Sequence, residues 1–312
     1  MPDLTTRIGD LTMRSPVMLA SGTVGYGPEY DGIIEFGAVG AIVTKTITVA
    51  PRAGNAPPRL AEARGGLLNA IGLENVGLER FLSEKLPEAA GLPVPIVGSV
   101  AGTSPDEFAV LSGAVGEREE ISAIELNISC PNVERPRNPV WSDPDAVAAI
   151  VSASRGATRK TLLLKLSPNT SDVLSVAEAA EKAGADALTV ANTLPGMRID
   201  LGRMRPALGN TTGGLSGGAL LPVNLALVWK VAGNVSIPVV GSGGVTDTSD
   251  ALEFLAAGAA AVQVGTALFA SPEAPVTITD GLRVYLEENN MDSIEELVGA
   301  AREERRVCAK KA

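Results

Sequence analysis

Eight short apolar runs recur along the chain, each ending near a Gly, Ser, Thr, Asn or Lys, with longer helical stretches between most of them. They are Val17–Ala20, Ala41–Thr44, Pro95–Ser99, Ala123–Asn127, Thr161–Leu166, Ala187–Ala191, Ile237–Gly241 and Ala261–Gly265. Short runs of Val, Ile, Leu and Ala without alternation read as parallel strands buried on both faces. Helical patterns cover Ser104–Gly113, Asp143–Ser154, Ser171–Ala183 and Thr248–Ala257. Ser104-Pro105-Asp106-Glu107 and Ser142-Asp143-Pro144-Asp145 place a capping oxygen ahead of a first-turn proline. Ala183-Gly184 and Ala257-Gly258 supply the glycine that stops a helix. Eight β/α units in 312 residues predict an α/β fold, the (β/α)8 TIM barrel, which needs about 250 residues. A doubly wound sheet is the alternative, with fewer strands and a Gly-rich first crossover.

Leu4–Arg7 and Leu11–Arg14 flank Ile8-Gly9-Asp10, the pattern of an N-terminal β-hairpin that would plug the bottom of the barrel. Beyond the eighth strand, Ser271–Glu288 and Asp292–Val307 are amphipathic and predict C-terminal helices. No linker or shift of composition breaks the chain, so residues 1–312 are expected to form a single domain.

Composition removes several functions. A net charge of −10 argues against nucleic acid as a partner, yet leaves room for a local site that takes a small anion. Two cysteines, Cys130 and Cys308, give no disulfide framework and suit a reducing cytoplasm. With no histidine, the commonest general base is missing and a zinc site is not expected. No apolar run reaches the roughly 20 residues of a membrane span, and the first residues carry no secretory core.

In such a barrel the chemistry sits at the C-terminal ends of the strands. Those ends carry Ser21, Lys45-Thr46, Ser99, Asn127, Lys165, Asn192-Thr193, Gly243-Gly244 and Gly265-Thr266. A lysine closing a buried strand is costly unless an anion or dipole meets it, and Lys45 and Lys165 both do so. Lys165 is open to three readings: a Schiff-base amine, a phosphate partner, or the positive charge beside a cofactor ring. Its bland reading is a snorkelling rim lysine. The glycine turns after strands seven and eight expose backbone N–H groups, which favours a phosphate over mere tight turning. Gly213–Gly218 reads as a third flexible loop near the same face. Asn69-Ala70-Ile71-Gly72-Leu73-Glu74-Asn75 suits a planar ligand with amide edges, or a plain turn. Cys308 reads as inert. Cys130 follows Asn127 in a loop with prolines at 131, 136, 139 and 144. A thiol of reference pKa about 8.5 can serve there as a base or as a nucleophile, and the residues alone leave both open.

Taken in order, Thr44-Lys45-Thr46, Asn69-Ala70-Ile71-Gly72-Leu73, Asn127-Ile128-Ser129-Cys130-Pro131-Asn132, Leu164-Lys165-Leu166-Ser167-Pro168-Asn169, Ala191-Asn192-Thr193 and Gly241-Ser242-Gly243-Gly244 resemble the dihydroorotate dehydrogenase family. The likeness runs from about Leu4 to Ala270 and is greatest to the class 1, B-type catalytic subunits. It implies an FMN enzyme that oxidises dihydroorotate to orotate in pyrimidine synthesis. By motif, Ser21, Lys45, Thr46, Ser99, Asn127, Lys165 and Ala191 would contact the flavin. Gly217, Gly243, Gly244, Gly265 and Thr266 would hold its phosphate and ribityl end. Substrate would meet Lys45, Asn69, Ala70, Ile71, Gly72, Leu73, Asn127, Asn192 and Thr193. Cys130 would be the base that takes the C5 proton while the flavin N5 takes the C6 hydride, with Lys165 beside the N1–O2 edge. Class 2 relatives carry serine in place of that cysteine and an N-terminal membrane segment; neither is present here.

Two departures stand out. Ser99 occupies a place where many relatives have asparagine, and 133–143 lacks the expected glycines while carrying Arg135, Arg137 and Trp141. The resemblance further implies a homodimer core joined to an electron-transfer subunit with FAD and an iron–sulfur cluster, a heterotetramer that delivers electrons to NAD. Other expectations are a fumarate-reducing A-type homodimer and a flavin barrel acting on another dihydropyrimidine. Rivals of other kinds are a non-redox sugar-phosphate lyase or isomerase, and a silent scaffolding subunit.

Overall fold

The computed structural model describes residues 1–128 and 139–302. Cys130, Cys308 and most of the 133–143 loop lie outside the described residues.

Eight parallel strands close into a barrel: Val17–Leu19, Ala41–Val43, Ile96–Val100, Ile121–Asn127, Thr161–Lys165, Ala187–Val190, Val239–Ser242 and Ala261–Val264. Each pairs with the next in chain order, and the eighth closes on the first through Val262↔Val17 and Val264↔Leu19. All eight expected strands are present, with ends moved by at most two residues. The seventh starts two residues late, at Val239, where Pro238 cannot donate to the ladder, and the fourth starts two residues early, at Ile121.

The expected helices form with the expected caps. Ser104 accepts from Glu107 N–H at the start of Pro105–Gly116, Asp143 caps Pro144–Ala157, and Asp247 and Asp250 form a capping box on Thr248–Ala256. Asp172 caps Val173–Lys182. Two helical stretches escape sequence patterning. Leu221–Ala232 has no side-chain cap and is apolar almost all round. Gly77–Ala89 is broken by a π turn at Phe81–Lys85 and by Pro87. After the first strand only 3-10 turns stand in place of a helix.

The hairpin pairs Thr6–Ile8 with Leu11–Met13, and Asp10 N–H reaches Thr161 Oγ1 at 2.9 Å inside the barrel's lower rim. Its Ile8, Leu11 and Met13 pack with Met18, Ala41, Val43, Val97, Ala123, Leu163, Ala187, Val240 and Ala261. Those are every other residue of the strands, so they face inward and fill the lower barrel. A second, larger apolar cluster fills the layer between strands and helices.

Two expectations are corrected. Gly213–Gly218 is not a flexible loop: Gly213–Ser216 is a strand in a four-stranded antiparallel sheet with Leu194–Gly196, Gly66–Asn69 and Leu60–Ala63. Side chains are excluded there because a Cβ at Gly213 would strike Asn69 O, and one at Gly214 would strike Thr193. The amphipathic stretch Asp292–Val307 does not form a helix over its described part. Its 3-10 turns, Ile294–Glu296 and Ala300–Arg302, are separated by Gly299 at φ +73°. The helix before it, Ala274–Glu288, forms as expected. Among the described residues no helix is long and apolar enough to cross a membrane.

Candidate active site

Moving up each strand from the apolar lower layer, the next inward position is polar on most strands. Val97 is followed by Ser99, Ala123 by Glu125 and Asn127, Leu163 by Lys165, Ala187 by Thr189, Val240 by Ser242, and Ala261 by Gln263. Above them opens a cavity of about 350 Å³ at the C-terminal mouth. The four-stranded sheet walls one side through Leu60, Leu67, Asn69 and Ser216.

The floor is a buried charge network. Lys165 Nζ donates to Gln263 Oε1 at 3.1 Å and lies 3.6 Å from Glu125 Oε1, with side-chain exposures of 8% and 0% for the ion pair. Glu125 Oε2 accepts from Thr189 Oγ1 at 2.9 Å and from Gln263 Nε2 at 2.7 Å. A carboxylate can only accept and an ammonium can only donate, so Gln263 is oriented: its NH2 must face Glu125 and its carbonyl Lys165. Ser242 Oγ also donates to that carbonyl, at 3.3 Å. The network keeps a buried cation under the cavity, and breaking such a pair by removing one partner is strongly destabilising.

One wall is a chain of hydroxyls and amides centred on Thr46. Its Oγ1 lies 3.1 Å from Ser21 Oγ and 2.8 Å from Ser99 Oγ, and accepts from Asn127 Nδ2 at 3.2 Å. Asn192 Nδ2 donates to Asn127 Oδ1 at 3.5 Å, and Asn192 Oδ1 accepts from Thr193 N–H. Lys45 is placed beside Thr46 by its own N–H, bonded to Gly25 O at 2.7 Å. Hydrogen-bonding groups of both polarities line this side, as a ring with alternating N–H and C=O edges requires.

The opposite wall is made of glycine turns. Gly243 (φ +89°) and Gly244 (φ +117°) are held so close to the helix Leu221–Ala232 that a Cβ would meet Asn224 and Leu221. Asn224 Nδ2 donates to both Ser242 O and Gly243 O, fixing the turn from behind. Gly265 opens the 3-10 turn Thr266–Phe269. Among the described residues no acceptor takes up the N–H groups of Gly243, Gly244, Gly265 or Thr266. Four unpartnered donors on glycine-rich turns at the ends of strands seven and eight fit a phosphate. Thr266 Oγ1 donates to Ser216 Oγ at 2.7 Å, tying this turn to the small sheet beside Gly217.

Among the described residues, the expected site residues are therefore brought together around one cavity, with two exceptions. Ser99 is fully buried behind Thr46 and is absent from the lining, because its short side chain ends at the Thr46 hydroxyl. Ala70 turns its methyl into a small cluster with Leu68 and Leu208. Cys130 lies outside the described residues. Ile71, Gly72, Leu73 and Ala191 line the cavity as expected, as do Asn69, Gly217 and the polar groups above. Glu125, Gln263, Thr189 and Asn224 were not foreseen. The signal for the first two was present: a charged or amide side chain on the inward parity of a strand buried on both faces. Burial pushes the Tyr26 phenol above its ordinary value, with nearby Glu29 adding to the shift, and its oxygen accepts Val76 N–H just past the 69–75 loop.

Fold and site together define a (β/α)8 barrel with a pair of glycine turns carrying open backbone N–H donors and an amide-rich, lysine-bearing wall around one cavity. A family model described as dihydroorotate dehydrogenase matches residues 3–286. The chain is 49% identical over 299 residues to the dihydroorotate dehydrogenase B (NAD(+)) catalytic subunit of Trichlorobacter lovleyi, covering 96% of this chain and 98% of that one. The protein of the same name from Pelobacter propionicus is 48% identical over the same share of each chain. In fold, the chain is similar to the dihydroorotate dehydrogenase of Eimeria tenella in its complex with ferulenol. The TM-score is 0.82 at 21% identity, with 97% of this chain and 89% of that chain covered. The chain belongs to the dihydroorotate dehydrogenase family.

Proposed function

We propose that the chain is the catalytic subunit of a cytoplasmic enzyme that oxidises (S)-dihydroorotate to orotate in pyrimidine synthesis and delivers the electrons to NAD. Residues 1–312 act in this reading as one FMN-binding domain. The observation that carries it is the paired arrangement of the cavity: unpartnered backbone donors on one side, and Lys45, Asn127, Asn192 and Lys165 on the other. A non-redox sugar-phosphate enzyme would use the first side and leave the second without a purpose. The relatives named above are catalytic subunits, which supports a partner; an FAD and iron–sulfur subunit around a homodimer core suits electron delivery to NAD.

FMN fits these residues. Its phosphate matches the turns at Gly243-Gly244 and Gly265-Thr266, and its ring matches the amide and hydroxyl edges of Ser21, Thr46 and Asn127. When bound, FMN supplies the hydride acceptor. The remaining work belongs to the chain. Cys130 takes the proton from C5 of the substrate as general base. Lys165, held by Glu125 and Gln263, keeps a positive charge where negative charge gathers during oxidation. Asn69, Asn127 and Asn192 pair with the pyrimidine amides, and Lys45 answers the substrate carboxylate. The local cations explain how a chain of net charge −10 takes an anionic substrate.

Anaerobic mixing of the purified, flavin-loaded protein with dihydroorotate should bleach the flavin, while dihydrouracil should not. NAD should then restore the colour only with the partner subunit present, and fumarate should not restore it. A colourless chain that takes up no FMN overturns the proposal. The variant Cys130→Ala should retain FMN and slow the bleaching by about 10²-fold or more, as loss of a general base requires. Near-normal bleaching would remove Cys130 from the base position.

A further inference from the structure

We propose that Asn75, outside the cavity lining, is a positioning residue that sets the shape of the substrate loop. The inference rests on the reading above that residues 69–73 meet the substrate. Asn75 is 7% exposed, and its side chain joins three segments. Its Oδ1 accepts from Gly77 N–H at 2.8 Å and from Thr48 N–H at 3.2 Å. Its Nδ2 donates to Leu73 O at 2.7 Å and to Thr48 Oγ1 at 2.9 Å. Its backbone exchanges two 3.0 Å bonds with Arg52. Both donor hydrogens and both acceptor positions of the amide are used, which only asparagine at this length can achieve.

The bond to Leu73 is the important one. Leu73 lines the cavity at φ +56°, a left-handed conformation that a leucine adopts only under constraint. Two more carbonyls of the loop are claimed from outside: Asn55 N–H takes Ile71 O and Asn55 Nδ2 takes Ala70 O, each at 3.0 Å. Among the described residues the N–H groups of Ile71, Gly72 and Leu73 have no acceptor. The carbonyls of Ala70, Ile71 and Leu73 are thus tied down while three donors remain for a ligand. Through Thr48, Asn75 also ties this loop to the segment carrying Lys45 and Thr46. Asn75 therefore sets substrate affinity without touching the substrate, and leaves the turns at 243–244 and 265–266 alone.

The test uses Asn75→Asp and Asn75→Ala in the flavin-loaded protein. Asp keeps the acceptor for Thr48 and Gly77 but cannot donate to Leu73 O. Orotate affinity, read from its perturbation of the flavin spectrum, should fall by about 10-fold or more in both, the equivalent of one buried hydrogen bond. The dihydroorotate KM should rise in step, with kcat within about 3-fold and FMN affinity unchanged, because uniform binding alone is lost. In the background Leu73→Gly, whose glycine takes the left-handed conformation freely, Asn75→Ala should cost clearly less than in the wild type. Hydrogen exchange on the apoprotein supplies a readout that needs no flavin: amides 73–77 should exchange faster in both variants. Unchanged orotate affinity, an equal loss of FMN affinity, or unaltered exchange at 73–77 would each overturn the proposal. Should the wild type bind no FMN, the functional reading fails, and the exchange experiment still decides the clamp.

Discussion

The lower and upper halves of the barrel interior are built on the same strands and differ in almost everything else. Below, Met18, Val97, Leu163 and Val240 pack against the hairpin residues Ile8, Leu11 and Met13 with no polar atom to satisfy. One inward position higher, Glu125, Lys165, Thr189 and Gln263 are also buried and are joined by hydrogen bonds, with Glu125 Oε1 met only by the 3.6 Å ion pair to Lys165. The lower half holds the fold together by area removed from water. The upper half gives up that simplicity to keep a cation and oriented dipoles beneath a cavity, an arrangement that adds little stability and is expensive to disturb. Stability and chemistry are thus separated by one step of the β pleat.

The sharpest way to break the contrast is Lys165→Ala, which strands Glu125 in the core. A loss of about 3–5 kcal/mol in chemical denaturation is expected, together with loss of FMN uptake; unaltered stability and uptake would show that the two halves do not differ as described. Leu163→Ala, one inward position below, should cost about 2–5 kcal/mol as an apolar cavity. There the folded fraction should bind FMN as tightly as the wild type, which flavin fluorescence titration measures. The charge network can be tested on itself. Glu125→Gln preserves shape and should destabilise by about 1–3 kcal/mol. Lys165→Met combined with Glu125→Gln should be more stable than Lys165→Met alone, by at least about 1 kcal/mol in a denaturation cycle. Additive costs would mean that the pair does not act as a pair. The smallest effect is expected behind the rim, where Asn224→Ala frees the Gly243 carbonyl and leaves Ser242 O with Ala191 N–H alone. About 1 kcal/mol of stability and a several-fold weaker FMN affinity should follow.

The same contrast explains what the sequence shows. The eight strands were legible because both faces of each are buried, which writes an unbroken apolar run. The rim residues were legible because a barrel puts them one step beyond those runs: Lys45, Asn127, Asn192 and the two glycine turns needed only the strand ends. Glu125 and Gln263 were overlooked because each sits inside an apolar run, where parity rather than position reveals an inward side chain. The four-stranded sheet was invisible for a different reason. Its pairing of Asn69 with Gly214 spans the whole middle of the chain, and its residues are glycine-rich and half exposed, so neither alternation nor turn chemistry marks them. Ser99 was read as a strand end and lies one residue before it, and its side chain stops at the Thr46 hydroxyl, short of the cavity. Over its described part, to Arg302, the helical pattern of 292–307 yielded to Gly299, whose left-handed backbone halts the turn.

The hairpin at the base has one more consequence. With Ile8, Leu11 and Met13 wedged against the lowest inward residues, the barrel axis is a blind shaft rather than a passage. Among the described residues the lower end offers no way through, so an unreacted molecule and a finished one share the C-terminal side of the barrel as their doorway. Turnover in such a chamber depends on how quickly that doorway clears as well as on the chemistry at its floor.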